Sequence, residues 1–307
     1  MAKYIVKRVL LGVLTIFIVA TLTFLLMHAV PGGPFMAEKS ISAEAQAALN
    51  AKFGLDKPLI VQYKNYMTGI LQGDFSLSLR QRGRTVNEII FDKLPVSAKL
   101  GGIAALVALL IGVPLGSIAA LNRGKWIDNV IIVLSTCGIA FPSFVICNIL
   151  LYIFVNQLGI DALNAATLAL PSNYVLPVFA LSFYPMAYIT RLMRSSMLDV
   201  IGQDYMRTAR AKGLSQSKCL FKHALRNAIL PVITYAGPML ANILTGSFVV
   251  EKIFRIPGLG KQFVSSITNR DYTVIMGTTI LLATLVITMN VVVDIIYKIV
   301  DPRIELK

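Results

Sequence analysis

Charge is scarce in this 307-residue chain: 14% of its residues are Asp, Glu, Lys or Arg, against 56% that are hydrophobic. A soluble domain carries nearer a quarter charged residues. With a mean hydropathy of +0.72, the composition excludes a water-soluble globule and points to a polytopic membrane protein. Acid is scarcer than base, 15 residues against 29, for a formal net charge of +14. In a soluble chain that excess would suggest nucleic acid. Here it fits basic inner loops and anionic headgroups, so membrane lipid is the expected partner and nucleic acid is not. Histidine is nearly absent: His28 and His223 stand far apart, and Cys137, Cys147 and Cys219 show no ligand spacing. A metal site is therefore not expected. No Ser-His-Asp or Cys-His arrangement is readable, and no span holds paired carboxylates, so a membrane protease or metalloenzyme lacks its catalytic groups. The phosphate-cradling G-x-x-x-x-G-K-[ST] is missing too; Gly258-Leu-Gly260-Lys261 comes nearest, with the wrong spacing. No catalytic residue and no cofactor is expected on this chain, and any ATP-driven step needs another subunit.

What is present is a series of apolar runs, six of them close to the roughly 20 residues a bilayer demands. The first, residues 9–27, follows Lys3, Lys7 and Arg8. It is longer than a signal-peptide core and no small-x-small cleavage site follows, so it is expected to stay as a membrane helix. The others are 100–121, 129–155 bent at Pro142, 174–192 interrupted by Pro177 and Pro185, 229–250, and 273–300. The connection 156–173 has no Lys or Arg, whereas 122–128 and 191–226 are basic. The positive-inside rule then puts both termini in the cytoplasm.

Residues 31–97 are long and polar, with three helical patterns. One spans 42–53 and ends at Gly54; another spans 58–72 and ends at Gly73. The third opens with the capping box Thr85-Val-Asn-Glu88 and is expected to stop before Pro95. The segment is basic, but long loops cross a membrane regardless of charge. It is expected to be an ordered extracytoplasmic cap.

Polar residues within spans are costly in lipid and face a bundle interior or a watery cavity. Asn148, Asn242, Thr245, Asn290 and Asp294 are candidates for a translocation path or for helix packing. Asn290 and Asp294, four apart, share a helix face. A hydrogen bond to a partner helix is the plainer reading for them, with Asp294 near the inner headgroups. Gly101, Gly102, Ala104 and Ala105 suit close helix packing.

Residues 204–231 are strongly basic and lie between two apolar runs. They read as two short helices with a break. Asp204 is the N-cap, Gly213 takes the left-handed position past the first helix, and Ser215 caps the second. That second helix passes Lys218, Lys222 and Arg226 towards Pro231. A solvated inner loop would explain the charge alone. Ala209, Ala211 and Gly213 add a helix end of little bulk, which another protein surface can approach.

The run Arg207-Thr-Ala-Arg-Ala-Lys-Gly213, followed by Leu230-Pro231, resembles the cytoplasmic EAA loop of ABC-transporter permeases. Further matches run along nearly the whole chain. They are Pro31-Gly-Gly-Pro-Phe35, Phe91 to Gly101, His223 to Asn227, Thr245-Gly-Ser, Val250-Glu251, Pro257-Gly-Leu-Gly260, Asn269-Arg-Asp-Tyr272 and Asp301-Pro302. Their order resembles the B-type permease subunit of bacterial oligopeptide and dipeptide importers. One departure stands out: Arg207 occupies the place of the glutamate that names the loop, and Thr208 that of its first alanine. No docking role that needs a carboxylate there is expected.

The resemblance implies an all-α membrane protein with six transmembrane helices and the type I ABC importer permease fold. Residues 1–30 would hold the cytoplasmic end and first helix, 31–97 the extracytoplasmic helical loop, 98–300 the transmembrane core and 301–307 a cytoplasmic tail. A coupling loop at 193–229 would meet an ATPase through Tyr205, Arg207, Thr208, Ala209, Ala211, Lys212, Gly213 and Leu214. The implied partners are a homologous second permease, two cytoplasmic ABC ATPase subunits carrying ATP and Mg, and an extracytoplasmic peptide-binding protein. The chain would be no enzyme itself and would sit in the bacterial cytoplasmic membrane. The same machinery for nickel chelates or oligosaccharides is the nearest alternative. An ion-coupled secondary transporter would want mid-membrane carboxylates and inverted repeats; only Asp294 comes near.

Overall fold

Inside a bilayer apolar side chains do not drive helices together, because lipid is as apolar as they are; close fit must do it. The computed structural model describes residues 2–31, 33–35, 43–160, 171–215, 218–244 and 246–300. In chain order the helices are α1 (Ala2–Ala29), α2 (Ala43–Phe53), α3 (Leu59–Gln72), α4 (Val86–Leu121), α5 (Trp126–Ala140) and α6 (Ser143–Leu150), the last prolonged by a π-helical stretch, Leu151–Gln157. Then come α7 (Val175–Ile201), α8 (Asp204–Ala211), a π-helical turn Cys219–Ala224 leading into α9 (Leu225–Ala228), α10 (Leu230–Leu244), α11 (Phe248–Ile253), α12 (Leu259–Asn269) and α13 (Tyr272–Val300). Among the described residues five helical runs are long and apolar enough to span a membrane, or six when the bent pair α5–α6 counts as one span.

The centre is α4 against α7. The buried face of α4 is a row of small residues, Gly101, Ala104, Ala105, Ala108, Gly112, Gly116 and Ala119. A Cβ at Gly116 would lie 2.7 Å from Met193 Cβ and press on the Thr190 carbonyl; one at Gly101 would lie 2.5 Å from the Ile243 carbonyl of α10. Backbones this close gain dispersion contacts that larger side chains would forbid. Gly102, expected in the same role, points elsewhere: its Cβ would meet nothing within 4 Å.

Four expected boundaries move. The helix opened by the Thr85 capping box does not stop before Pro95. It runs through Pro95 and Pro114 to Leu121, so residue 97 falls inside it. Val86, Ile89 and Ile90 are buried on one flank of Pro95, and Leu100 and Ala104 on the other. Burial on both flanks outweighs the hydrogen bond a proline removes. The third span is broken rather than bent: α5 and α6 meet at 103°. Pro142 forces its predecessor out of the helical region, and Phe141 sits extended at φ −77, ψ 126. The fourth span continues as helix to Ile201, with Pro185 inside it. The fifth stops at Leu244, where Gly246 takes φ +95 and lets the chain turn beside Ser97 and Glu251.

In the described part of the segment before α4, the local turn and cap signals take the expected form. Gly54 and Gly73 end their helices at φ +67 and +72. The Thr85 hydroxyl accepts the Glu88 N–H at 3.1 Å, and the Glu88 carboxylate accepts the Thr85 N–H at 3.2 Å. The segment packs on the C-terminal end of α1 and the N-terminal end of α13 through Phe24, Phe35, Leu79, Tyr272 and Met276. Burial pushes the Tyr66 hydroxyl in this cluster far above its ordinary pKa, so it stays neutral. The buried Asp271 carboxylate accepts from Ser78 Oγ at 2.5 Å and from the Leu79 N–H at 3.1 Å. Arg80 donates to the Asn269 and Pro34 carbonyls at 2.6 and 2.5 Å, and Arg270 to the Pro31 carbonyl at 3.1 Å. At the other end of the α1–α13 pair, Arg8 meets Asp294 at 3.2 Å.

Gly116→Leu should therefore cost about 1–3 kcal/mol through overpacking, read as a lower melting temperature of the detergent-solubilised protein. Gly102→Ala should leave it unchanged. Equal melting temperatures for wild type and Gly116→Leu would refute the close-fit account of the α4–α7 centre.

Candidate functional site

The basic stretch folds as anticipated in outline. α8 spans Asp204–Ala211, and Gly213 follows at φ +75. Asp204 is the first helical residue; the Gln203 carbonyl already accepts the Met206 N–H at 3.1 Å. Ser215 opens the next helix, its hydroxyl accepting the Lys218 N–H at 3.4 Å.

α8 has two faces. Met206 and Ala209, three apart, are buried in the same core as Cys219 and Ala224. Ala209 thus faces this chain's own interior and not a docking surface. Arg207, Thr208, Ala211, Lys212 and Gly213 are exposed, and Leu214 is half-buried. Arg207 stands 3.6 Å from Asp204, both open to solvent. The Thr208 hydroxyl donates to the Asp204 carbonyl at 3.1 Å. The Tyr205 hydroxyl accepts from Asn227 Nδ2 at 2.8 Å, which ties α8 to α9. A Cβ on Gly213 would meet nothing within 4 Å, so its requirement is conformational.

Only Gly202 and Gln203 separate α8 from α7. Near that junction the Arg194 guanidinium grips the buried Asp128 carboxylate with two bonds of 2.6 and 2.7 Å. Asp128 also accepts the Gly124 N–H at 2.9 Å, which fastens the turn before α5. This pair was not anticipated. Its signal was a lone Asp at the end of the basic connection 122–128, but 66 residues separate the partners, beyond the reach of periodicity.

Further along α7, Ala180, Leu181, Tyr184 and Pro185 border a cavity of about 510 Å³. Its other walls are Ile139 to Ser143 at the α5–α6 break, Asn242 and Ile243 of α10, and Ser247 and Val250 beside α11. Of the described polar candidates for a path, Asn242 alone lines it. Asn148 is exposed and donates back to the Phe144 carbonyl at 2.7 Å. Asn290 is half-buried on α13, and Asp294 pairs with Arg8 of α1. The partner helix sought for Asp294 is thus in the same chain. Thr245 lies outside the described residues.

α11 is held by Glu251, which is wholly buried. Its carboxylate accepts from Ser97 Oγ at 2.6 Å and from the Lys261 N–H at 2.8 Å. Ser97 in turn accepts the Leu259 N–H at 2.8 Å. Four of the motifs, around Ser97, Gly246, Glu251 and Gly258 to Gly260, therefore meet at one buried carboxylate.

Residues 112–306 match the family described as binding-protein-dependent transport system inner membrane component, and residues 1–101 match the corresponding N-terminal family. Over 306 residues the chain is 47% identical to the dipeptide transport system permease protein of Bacillus subtilis, covering 100% of this chain and 99% of that one. It is 39% identical over 308 residues to the oligopeptide transport system permease protein of Salmonella typhimurium, covering 99% and 100%. A crystal structure of an amino acid ABC transporter with histidines superposes with a TM-score of 0.52 at 18% identity, over 71% of this chain and 95% of that one; it speaks to the fold alone. With matches along both halves and relatives of equal length, the chain belongs to the family of inner membrane components of binding-protein-dependent transport systems.

Proposed function

We propose that this chain is one of two homologous permease subunits in an ATP-driven importer of dipeptides or oligopeptides. The observation that carries the reading is 47% identity with a dipeptide permease over the full length of both chains. In this reading ATP and Mg stay on two cytoplasmic ATPase subunits, since the chain has no phosphate-cradling motif of its own. One ATPase grips the exposed face of α8. An extracytoplasmic binding protein delivers the peptide to the cap side, and both termini are cytoplasmic.

The geometry offers a route for force. A pull on α8 acts through Met206 and the short Gly202-Gln203 link on α7. α7 borders the cavity through Tyr184 and Pro185, and Pro185 is a natural point of bending. Motion at the inner face can thus widen or narrow the cavity without unfolding any span.

The reading is tested in proteoliposomes holding both permeases and the ATPases, with ATP inside and peptide-loaded binding protein outside. ATP-dependent peptide uptake is expected; uptake driven by an ion gradient without ATP would overturn it. In the same system Gly213→Val should assemble normally yet lose roughly tenfold in uptake, as expected for about 1–3 kcal/mol of strain at a positive φ. Gly213→Asn, which tolerates that φ, should keep more of the activity. Full uptake by Gly213→Val would make this stretch only a basic loop.

Orientation is checked separately. Leu71 in the cap is 87% exposed. Leu71→Cys, in a chain whose own cysteines are replaced, should react with an impermeant maleimide in intact spheroplasts. Labelling only after lysis would place the cap inside.

A further inference from the structure

The broken third span leaves peptide groups without helical partners. The Cys137 carbonyl still accepts the Phe141 N–H at 3.0 Å. Beyond it, the carbonyls of Gly138, Ile139, Ala140 and Phe141 meet no donor among the described residues. Past Pro142, the N–H groups of Ser143 and Phe144 meet no acceptor there either; the Val145 and Ile146 N–H groups both return to the Pro142 carbonyl. The break falls midway along the expected span 129–155, at membrane depth. Unpaired backbone is not tolerated against lipid; it persists only inside protein or beside a water-filled cavity. Here the cavity is present. Ile139, Ala140, Phe141 and Ser143 line it, and none of its described lining residues is charged.

We propose that this break is the part of the path that holds the main chain of a passing peptide, an inference that rests on the peptide reading above. Every residue of an extended peptide presents one N–H and one C=O, whatever its side chain. The carbonyls of Ile139, Ala140 and Phe141 receive the peptide's N–H groups, and the Ser143 and Phe144 N–H groups donate to its carbonyls. Leu181, Tyr184, Ile243 and Val250 meet side chains of varied size without a charge to sort them. Such contacts replace water without exceeding it by much, which suits a site that must also release its ligand.

Two measurements test the proposal in the reconstituted complex, with radiolabelled tri-alanine as the probe. Pro142→Ala restores an N–H and permits a continuous helix, which would engage the Gly138, Ile139 and Ala140 carbonyls internally. The variant should assemble with its partners and lose about tenfold or more in uptake, the order expected for losing two hydrogen bonds. In a second variant, Tyr184→p-benzoylphenylalanine with Pro142 intact, light during turnover should cross-link the tripeptide to this chain. Methylating the tripeptide's amide nitrogens, at equal occupancy of the binding protein, should abolish that cross-link. Undiminished uptake by Pro142→Ala overturns the inference. Should Pro142→Ala fail to assemble, the second measurement decides: uptake without cross-linking, or cross-linking indifferent to methylation, overturns it. A wild-type complex that hydrolyses ATP but carries neither tri-alanine nor di-alanine sinks the peptide reading and this inference together; where di-alanine alone is carried, it replaces tri-alanine as the probe. A wild-type complex that carries its probe while either expectation fails sinks the inference alone.

Discussion

A peptide group that leaves its helix inside a bilayer finds no water to bond, and this one constraint arranges the structure. It keeps α4 helical through two prolines, since one missing bond is cheaper than an open turn. It bars the loop-like backbone before α4 from lying against lipid. It also limits where the chain can break. The described structure breaks within membrane runs at two places, at Phe141-Pro142 and around Gly246. Both breaks border the same cavity, the first through Phe141 and Pro142 and the second through Asn242 and Ser247. Irregular backbone has been gathered around one space instead of scattered over six spans.

Close fit supplies the second requirement. Small residues on α4 bring the backbones of α7 and α10 to within van der Waals limits. Contacts of that kind have no slack, so α4 and α7 shift together or not at all. α7 continues past the C-terminal end of the expected span, carries Arg194 against Asp128, and ends two residues before α8. The exposed basic helix is thereby joined directly to the helix that forms one wall of the cavity.

The parts of this arrangement that rest on local chemistry could be read from the sequence. Gly54, Gly73 and Gly213 end helices with positive φ, and Thr85 with Glu88 closes a capping box. The parts that rest on distant partners could not. Nothing near Asp128 names Arg194, and nothing near Glu251 names Ser97. Proline was the weakest guide, because its effect depends on what surrounds it: Pro95 sits between buried flanks and is absorbed, whereas Pro142 breaks its span. Ala209 was placed on the docking face for its small size and for the resemblance of its stretch to the EAA loop. Its spacing from Met206 puts both on one buried side, a pattern that periodicity does carry.

The two ends of the molecule are fastened by different physics, and the difference bears on how it can move. On the cap side, Glu251 and Asp271 are buried carboxylates, each satisfied by several donors from separate segments. A buried carboxylate that loses part of its donor set incurs a heavy desolvation cost, so these clusters persist whole. They bind the cap, α11 and α12 into one unit. On the opposite side, α8 is held by a buried methionine, a buried alanine and the Tyr205–Asn227 bond, while its charged residues stay in water. Solvated charges exchange partners at little cost. The cap end is thus built to hold its shape, and the α8 end presents charges whose contacts can form and break at little cost.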